Sequence, residues 1–231
     1  MARPKDENYD GKKDTILKAA ARVFADKGFL KTNIIEIGEA SGASKSRMYH
    51  YFPSKEALLA QLLLSHVGAL LEAATGAVRD TPPGLARLRR LIDTHIDQYM
   101  EAFAEHKLLL SEPNNLPEQE RTRLFELEDQ LIRLMTNVLR DVAPDRLKSA
   151  PVARVHAMLV YGMLNWTFTW YKPGGPVTPR QLADHVYQMA IGGLCGEIAS
   201  KDGPAVGSTR LAARSTATRR PAAGAAGRIA R

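Results

Sequence analysis

Lys45, Ser46, Arg47, Tyr49 and His50 crowd two cations, a hydroxyl, a phenol and an imidazole into a segment about two helical turns long. Such groups hydrogen-bond phosphate oxygens, and lysine and arginine also pair with the N7 and O6 acceptors of guanine. No acid stands between Ser41 and Lys55, whereas a helix that only covers a core mixes acids with bases on its wet face. The chemistry on offer is that of gripping a polyanion.

The flanking sequence dictates how the segment is held. Asn33 followed by Glu36 has the reciprocal capping-box spacing, and Ile34, Ile37 and Ala40 recur at helical intervals before Ser41-Gly42-Ala43 breaks the run. Ser44 caps a second helix, Lys45 to Tyr51, which Phe52-Pro53 closes because the residue before a proline avoids the helical region. Ser54 caps a third. A short helix, a glycine turn and another short helix form a helix-turn-helix, whose second helix enters the DNA major groove. Lys55, in the first turn of its helix, opposes the macrodipole by a few tenths of a kcal/mol. A phosphate bridging it to the free amides there would reverse the sign.

From the first helix through Leu59 the chain resembles the TetR family of bacterial one-component regulators. The resemblance rests on Ile16, Ala19, Ala20, Phe24, Gly28, Phe29, Thr32, Ile37, Gly42, Ser44, Tyr49, Phe52, Ser54, Lys55, Glu56 and Leu58. Gly38 stands where the family usually has alanine and Ala43 where it has valine, which trims apolar volume from the turn. The resemblance implies DNA contacts at Thr32, Ser44, Lys45, Ser46, Arg47, Tyr49, His50 and Lys55, a homodimer on a palindromic operator, and release by a small molecule. Arg47 and Lys45 are the candidates for reading bases; Tyr49, His50 and Lys55 are candidates for phosphates, with Thr32.

Charge is distributed to match. Residues 1–60 hold 11 basic and 8 acidic side chains, residues 61–202 hold 15 and 17, and residues 203–231 hold six arginines and no acid. The polyanion therefore belongs at the N-terminal region, while the middle is near neutral. The organisation expected is an arm and helix-turn-helix domain over 1–53, a ligand-binding and dimerisation domain over 54–202, and a disordered Arg/Ala/Gly-rich tail over 203–231. Both the basic arm at Ala2–Lys5 and the tail could touch DNA or be inert.

Beyond Leu59 the pattern is helical almost throughout. Helix four runs from Ser54 to about Val78, so head and body share one rod. The fifth spans about Leu85 to Ala104, a short one lies near His106 to Glu112, and the seventh covers about Pro117 to Val142. The eighth, about Val152 to Tyr171, and the ninth, about Thr178 to Ser200, complete an all-α fold of about nine helices. On the ninth, Leu182, Val186, Met189, Ala190, Gly193 and Leu194 offer a seam for a second copy of the chain.

Both tryptophans fall in the eighth helix. Gly162, Asn165, Trp166, Thr169 and Trp170 there, with His95, Tyr99 and Phe103 on the fifth, suit an apolar effector pocket with a few polar groups. The same rings could equally fill a core. Asn165 to Gly175 and the segment from Asn8 to Ala20 are similar to TetR-like regulators of fatty-acid, steroid and aromatic-acid catabolism, the phenylacetate type in particular. That likeness implies an acyl- or aryl-CoA effector, with Arg121, Arg123, Arg133 and Lys172 available for its phosphates.

Other classes find little support. The six histidines show no metal-ligand spacing, and no nucleophile elbow, phosphate-binding loop or dinucleotide fingerprint occurs. No catalytic residue, metal or cofactor is expected. An all-helical enzyme with a dispersed active site, or a nonspecific DNA-binding protein driven by the arginine tail, are the alternatives. One cysteine, Cys195, forms no internal disulfide and suits a reducing cytoplasm. Met1 to Lys13 lacks the apolar stretch of a signal peptide, and no run of ~20 apolar residues suggests a membrane span.

Overall fold

The computed structural model describes residues 9–172 and 174–195. Among them are nine α-helices, one short 3-10 turn at Pro113–Asn115 and no strand. The arm before Tyr9, the arginine tail and the expected continuation of the last helix to Ser200 lie outside the described residues.

The head is built from α1 (Tyr9–Lys27), α2 (Ile34–Ser41) and α3 (Lys45–Tyr51). Ile16, Ala20 and Phe24 form the buried stripe of α1. Gly28, at φ 84°, ends the helix, and its amide donates to the Phe24 carbonyl at 2.8 Å. Asn33 Oδ1 accepts from the Ile35 amide at 3.0 Å, and Gly42 closes α2 in the left-handed region at φ 68°. The turn is tight because residue 38 is glycine. A Cβ there would stand 2.9 Å from the Ala43 carbonyl oxygen and 3.0 Å from Met48 Cγ. The volume missing at Gly38 and Ala43 is taken up by this closer approach, with Met48 fully buried.

Helix α4 (Lys55–Arg79) begins in the head and is about 37 Å long. By length and composition it could cross a membrane, a feature that counting unbroken apolar runs passed over. Leu58, Leu59, Leu62, Leu63, Val67 and Leu70 instead enter the core. Against it pack α5 (Leu85–Glu101), α6 (Phe103–Ser111) and α7 (Glu118–Val142), while α8 (Ala150–Trp170) lies on α7 and α9 (Pro179–Cys195) on α5.

Two boundaries matter for function. The chain breaks helix at Ala102 (φ −119°, ψ 49°), so α5 stops at Glu101 rather than Ala104 and α6 leaves in a new direction. Neither proline nor glycine marks the break. At the other end, Thr178 and Gln181 form the reciprocal cap of α9: the Thr178 amide donates to Gln181 Oε1 at 2.9 Å and the Gln181 amide to Thr178 Oγ1 at 3.2 Å. Helix α6 is tied to the head by Lys107, whose ammonium donates to the Ala25 carbonyl of α1 at 2.8 Å.

Candidate DNA interface and effector cavity

Helix α3 is held by Met48, with Tyr51 half-buried against the same core, and presents its other side chains outward. Ser44 Oγ accepts from the Arg47 amide at 3.3 Å, fixing the first turn, while Met48 alone is buried within the helix. Lys45, Ser46, Arg47, Tyr49 and His50 are all exposed, Tyr49 at 48%. Behind them Phe52 is buried and closes the helix. Beside α3 runs a shallow groove lined by Lys31, Asn33, Tyr49 and Pro53, with Leu30 standing 80% exposed at its edge. This is a convex cationic rod with a hydroxyl-bearing N-terminus, shaped to enter a groove rather than enclose a ligand.

Thr32 and Lys55 also line that groove, but their polar groups are turned to acceptors within the subunit. Thr32 is buried, and its hydroxyl donates to the Gly28 carbonyl at 2.9 Å. The Lys55 ammonium donates to the carbonyls of Phe29 at 2.8 Å and Thr32 at 3.0 Å. The first-turn cation thus has two internal acceptors, 26 and 23 residues away.

The second feature is a cavity of about 190 Å³ between α4, α5, α6, α7 and α8. Its inner wall is Leu70, Tyr99, His106, Leu109, Leu131 and Tyr161, all buried. Glu128, Ile132, Met158 and Asn165 line its partly exposed mouth. Tyr99 donates to Asn165 Oδ1 at 2.8 Å, clasping α5 to α8. Desolvation raises the Glu128 pKa, and burial pushes the Tyr99 hydroxyl well above the ordinary range.

Three histidines stand in or behind this wall, and burial keeps each of them neutral. Desolvation lowers His95 and His66 to about 4; His106 falls to about 3, by desolvation first and then by the nearby imidazoles. His95 Nδ1 lies 2.8 Å from the Leu91 carbonyl, which can only accept, so the proton sits on Nδ1. His95 Nε2 then accepts from the Tyr161 hydroxyl at 2.9 Å. His95 thus braces a wall residue from behind and does not line the cavity itself.

Of the expected pocket residues, Tyr99 and Asn165 are brought together there. Phe103 opens α6 half-buried and away from the lining. Gly162, Trp166, Thr169 and Trp170 are exposed and outside the lining, Trp166 at 65% and Trp170 at 53%. The inward stripe is instead Ala153, Ala157, Val160, Tyr161, Leu164 and Thr167. Sequence reasoning missed Tyr161, one turn before Asn165, and His106, whose only signal was its place in a short apolar helix.

The outward face of α8 carries Val152, Val155, Leu159, Gly162, Trp166 and Trp170 at intervals of three and four residues. On α9 the expected seam divides. Leu182, Val186, Ala190 and Leu194 are buried inside their own subunit, where α9 packs on α5, while Met189 (68%) and Gly193 are exposed. No group of three or more His, Cys, Asp or Glu side chains suited to a metal occurs among the described residues.

The family model described as bacterial regulatory proteins, tetR family, matches residues 16–62, and one described as tetracyclin repressor-like, C-terminal domain, matches residues 81–194. The chain belongs to the TetR family. A crystallised TetR-family transcriptional regulator from Bordetella parapertussis 12822 is 34% identical, with a TM-score of 0.76 over 83% of this chain and all of that one. The transcriptional repressor KstR2 of Mycobacterium tuberculosis (strain ATCC 25618 / H37Rv) is 26% identical over 81% of this chain and 95% of its own length. The crystal structure of AibR in complex with isovaleryl coenzyme A and operator DNA matches with a TM-score of 0.68 and 26% identity, over 77% of this chain and 97% of that one. This TetR-family regulator therefore carries a DNA-binding head on a helical body that belongs to the family's C-terminal type. The outward side chains of α3 fall within the segment matched by the family's N-terminal model.

Proposed function

We propose that the chain acts in the cytoplasm as a homodimeric repressor of a palindromic operator, released by an acyl- or aryl-CoA thioester. The observation that carries this reading is the outward presentation of Lys45, Ser46, Arg47, Tyr49 and His50 on a helix whose one buried side chain is Met48. Arg47 and Lys45 read guanine edges; Tyr49 and His50 fix register on the backbone.

The partner copy docks on the outer face of α8, with Met189 and Gly193 of α9 alongside. Trp166 and Trp170 are the anchors such an interface needs, since tryptophan concentrates binding energy at interface centres. Dimerisation sets two α3 helices about 34 Å apart, one DNA turn.

The effector's acyl or aryl part enters the cavity between Glu128 and Asn165 and leaves the coenzyme outside. Support comes from the enclosed apolar wall and from the relative crystallised with isovaleryl coenzyme A and operator DNA. Ligand filling the space beside Leu70 of α4 and His106 of α6 biases the two helices that reach the head. Sequencing DNA fragments that co-purify with the chain tests the reading. Recovery of one recurrent palindrome supports it; recovery of random fragments overturns it.

A further inference from the structure

The innermost wall of the cavity contains a polar atom with nothing to bond. His106 is 2% exposed, and its Nε2 has no hydrogen-bond partner. The ring is fixed: it stacks on Tyr99 with centroids 3.5 Å apart and planes inclined by 21°, and its Nδ1 faces His66 Nε2 at 3.4 Å. A buried polar atom without a partner is costly, so a native site that keeps one has a use for it. No lysine or arginine lines the cavity to neutralise an anion, and its one acid, Glu128, sits at the mouth rather than the inner wall.

We propose that the effector's buried end is a neutral, ring-sized group bearing a hydroxyl, which hydrogen-bonds His106 Nε2. Size follows from volume. A cavity of roughly 150 Å³ admits a benzene ring, and this one measures about 190 Å³. Polarity follows from the histidine pair. If His66 Nε2–H donates to His106 Nδ1, the proton of His106 is on Nε2, which is then a donor. If His106 Nδ1–H donates to His66, Nε2 offers a lone pair. A hydroxyl satisfies both arrangements, because it donates and accepts. A plain alkyl or phenyl end would leave Nε2 bare. A free carboxylate would meet no counter-charge. This inference rests on the cavity being the effector site, and it specifies what that site selects.

Two matched pairs test it by calorimetry on the full chain: phenylacetyl-CoA against 4-hydroxyphenylacetyl-CoA, and toluene against 4-methylphenol. The hydroxylated member of each pair should bind about tenfold tighter or more. In His106→Leu that preference should vanish or invert, and His106→Gln, which keeps a donor and an acceptor, should restore part of it. Equal or tighter binding of the unhydroxylated members overturns the inference, as does a preference that survives in His106→Leu. The arms separate the two readings. Thioesters that bind without hydroxyl preference sink this inference and leave the thioester reading standing. Selective binding of 4-methylphenol, with neither thioester bound, does the reverse. Binding of none of the four compounds overturns both.

Discussion

The Lys55 ammonium lies 2.8 Å from the carbonyl oxygen of Phe29 and 4.3 Å from the centroid of the same residue's ring. With its second bond to the Thr32 carbonyl, it pins the α1–α2 corner to the first turn of α4. The orientation of the reading head on the long rod is therefore set partly by one cation bonded within the subunit.

Lys55→Met should lower stability rather than DNA affinity as such. Losing a charged donor to two part-buried carbonyls and a ring contact costs on the order of 1–3 kcal/mol. For a chain of this size that is a fall in Tm of very roughly 2–12 °C. The slope of log affinity against log salt for operator DNA should stay unchanged. A slope reduced by about one, with no change in Tm, would make Lys55 a phosphate ligand after all.

Arg47→Ala separates reading from gripping. Its guanidinium is exposed on α3 and is not needed to hold the helix, since Ser44 caps through the residue 47 backbone amide. Operator affinity should fall by about 5- to 150-fold, the worth of a bidentate base contact, while scrambled DNA loses only a modest electrostatic increment. Fluorescence anisotropy on both duplexes measures the difference, and equal losses would count against base reading by Arg47.

The two faces of α8 and α9 predict opposite phenotypes. Trp166→Arg, at a position 65% exposed, should leave the fold intact and yield a monomer by sedimentation, with operator binding lost. Leu182→Ala, at a buried position, should cost roughly 2–5 kcal/mol of stability while the chain still sediments as a dimer. A dimeric Trp166→Arg protein would move the interface elsewhere.

Acid should destabilise the body through the buried histidines. His66 and His95 titrate in the folded chain at about 4 and His106 at about 3, all depressed by desolvation from the ordinary 6.5. Below pH 6.5 the unfolded chain binds these protons and the folded chain does not, so stability is full above that pH and falls as pH drops toward 4. Each group contributes up to about 1.4 kcal/mol per pH unit in that window. Urea midpoints at pH 7 and pH 5 should differ markedly, and His106→Phe should flatten the dependence by one proton. A pH-independent midpoint over this range would show the imidazoles reach solvent in the folded state.

Much of this molecule is written in short stretches of sequence. Asn33, Gly42, Ser44, Phe52-Pro53 and Ser54 place α2, α3 and the start of α4, because each acts on backbone groups within four residues. The exposure of Lys45, Arg47 and Tyr49 follows once Met48 is recognised as the inward residue of a seven-residue helix. What only tertiary structure decided is which neighbours distant residues acquire. Helix α8 is apolar on both faces, so periodicity could not say whether Trp166 or Leu164 points inward; the packing of α7 chose the small-residue face. The partners of Lys55 lie 23 and 26 residues away, and the break at Ala102 carries no local signal. His106 acquires its neighbours His66 and Tyr99 only when α4, α5 and α6 close around it, and that closure leaves its Nε2 buried without a partner. Caps and turns are local chemistry; burial is a property of the whole assembled chain.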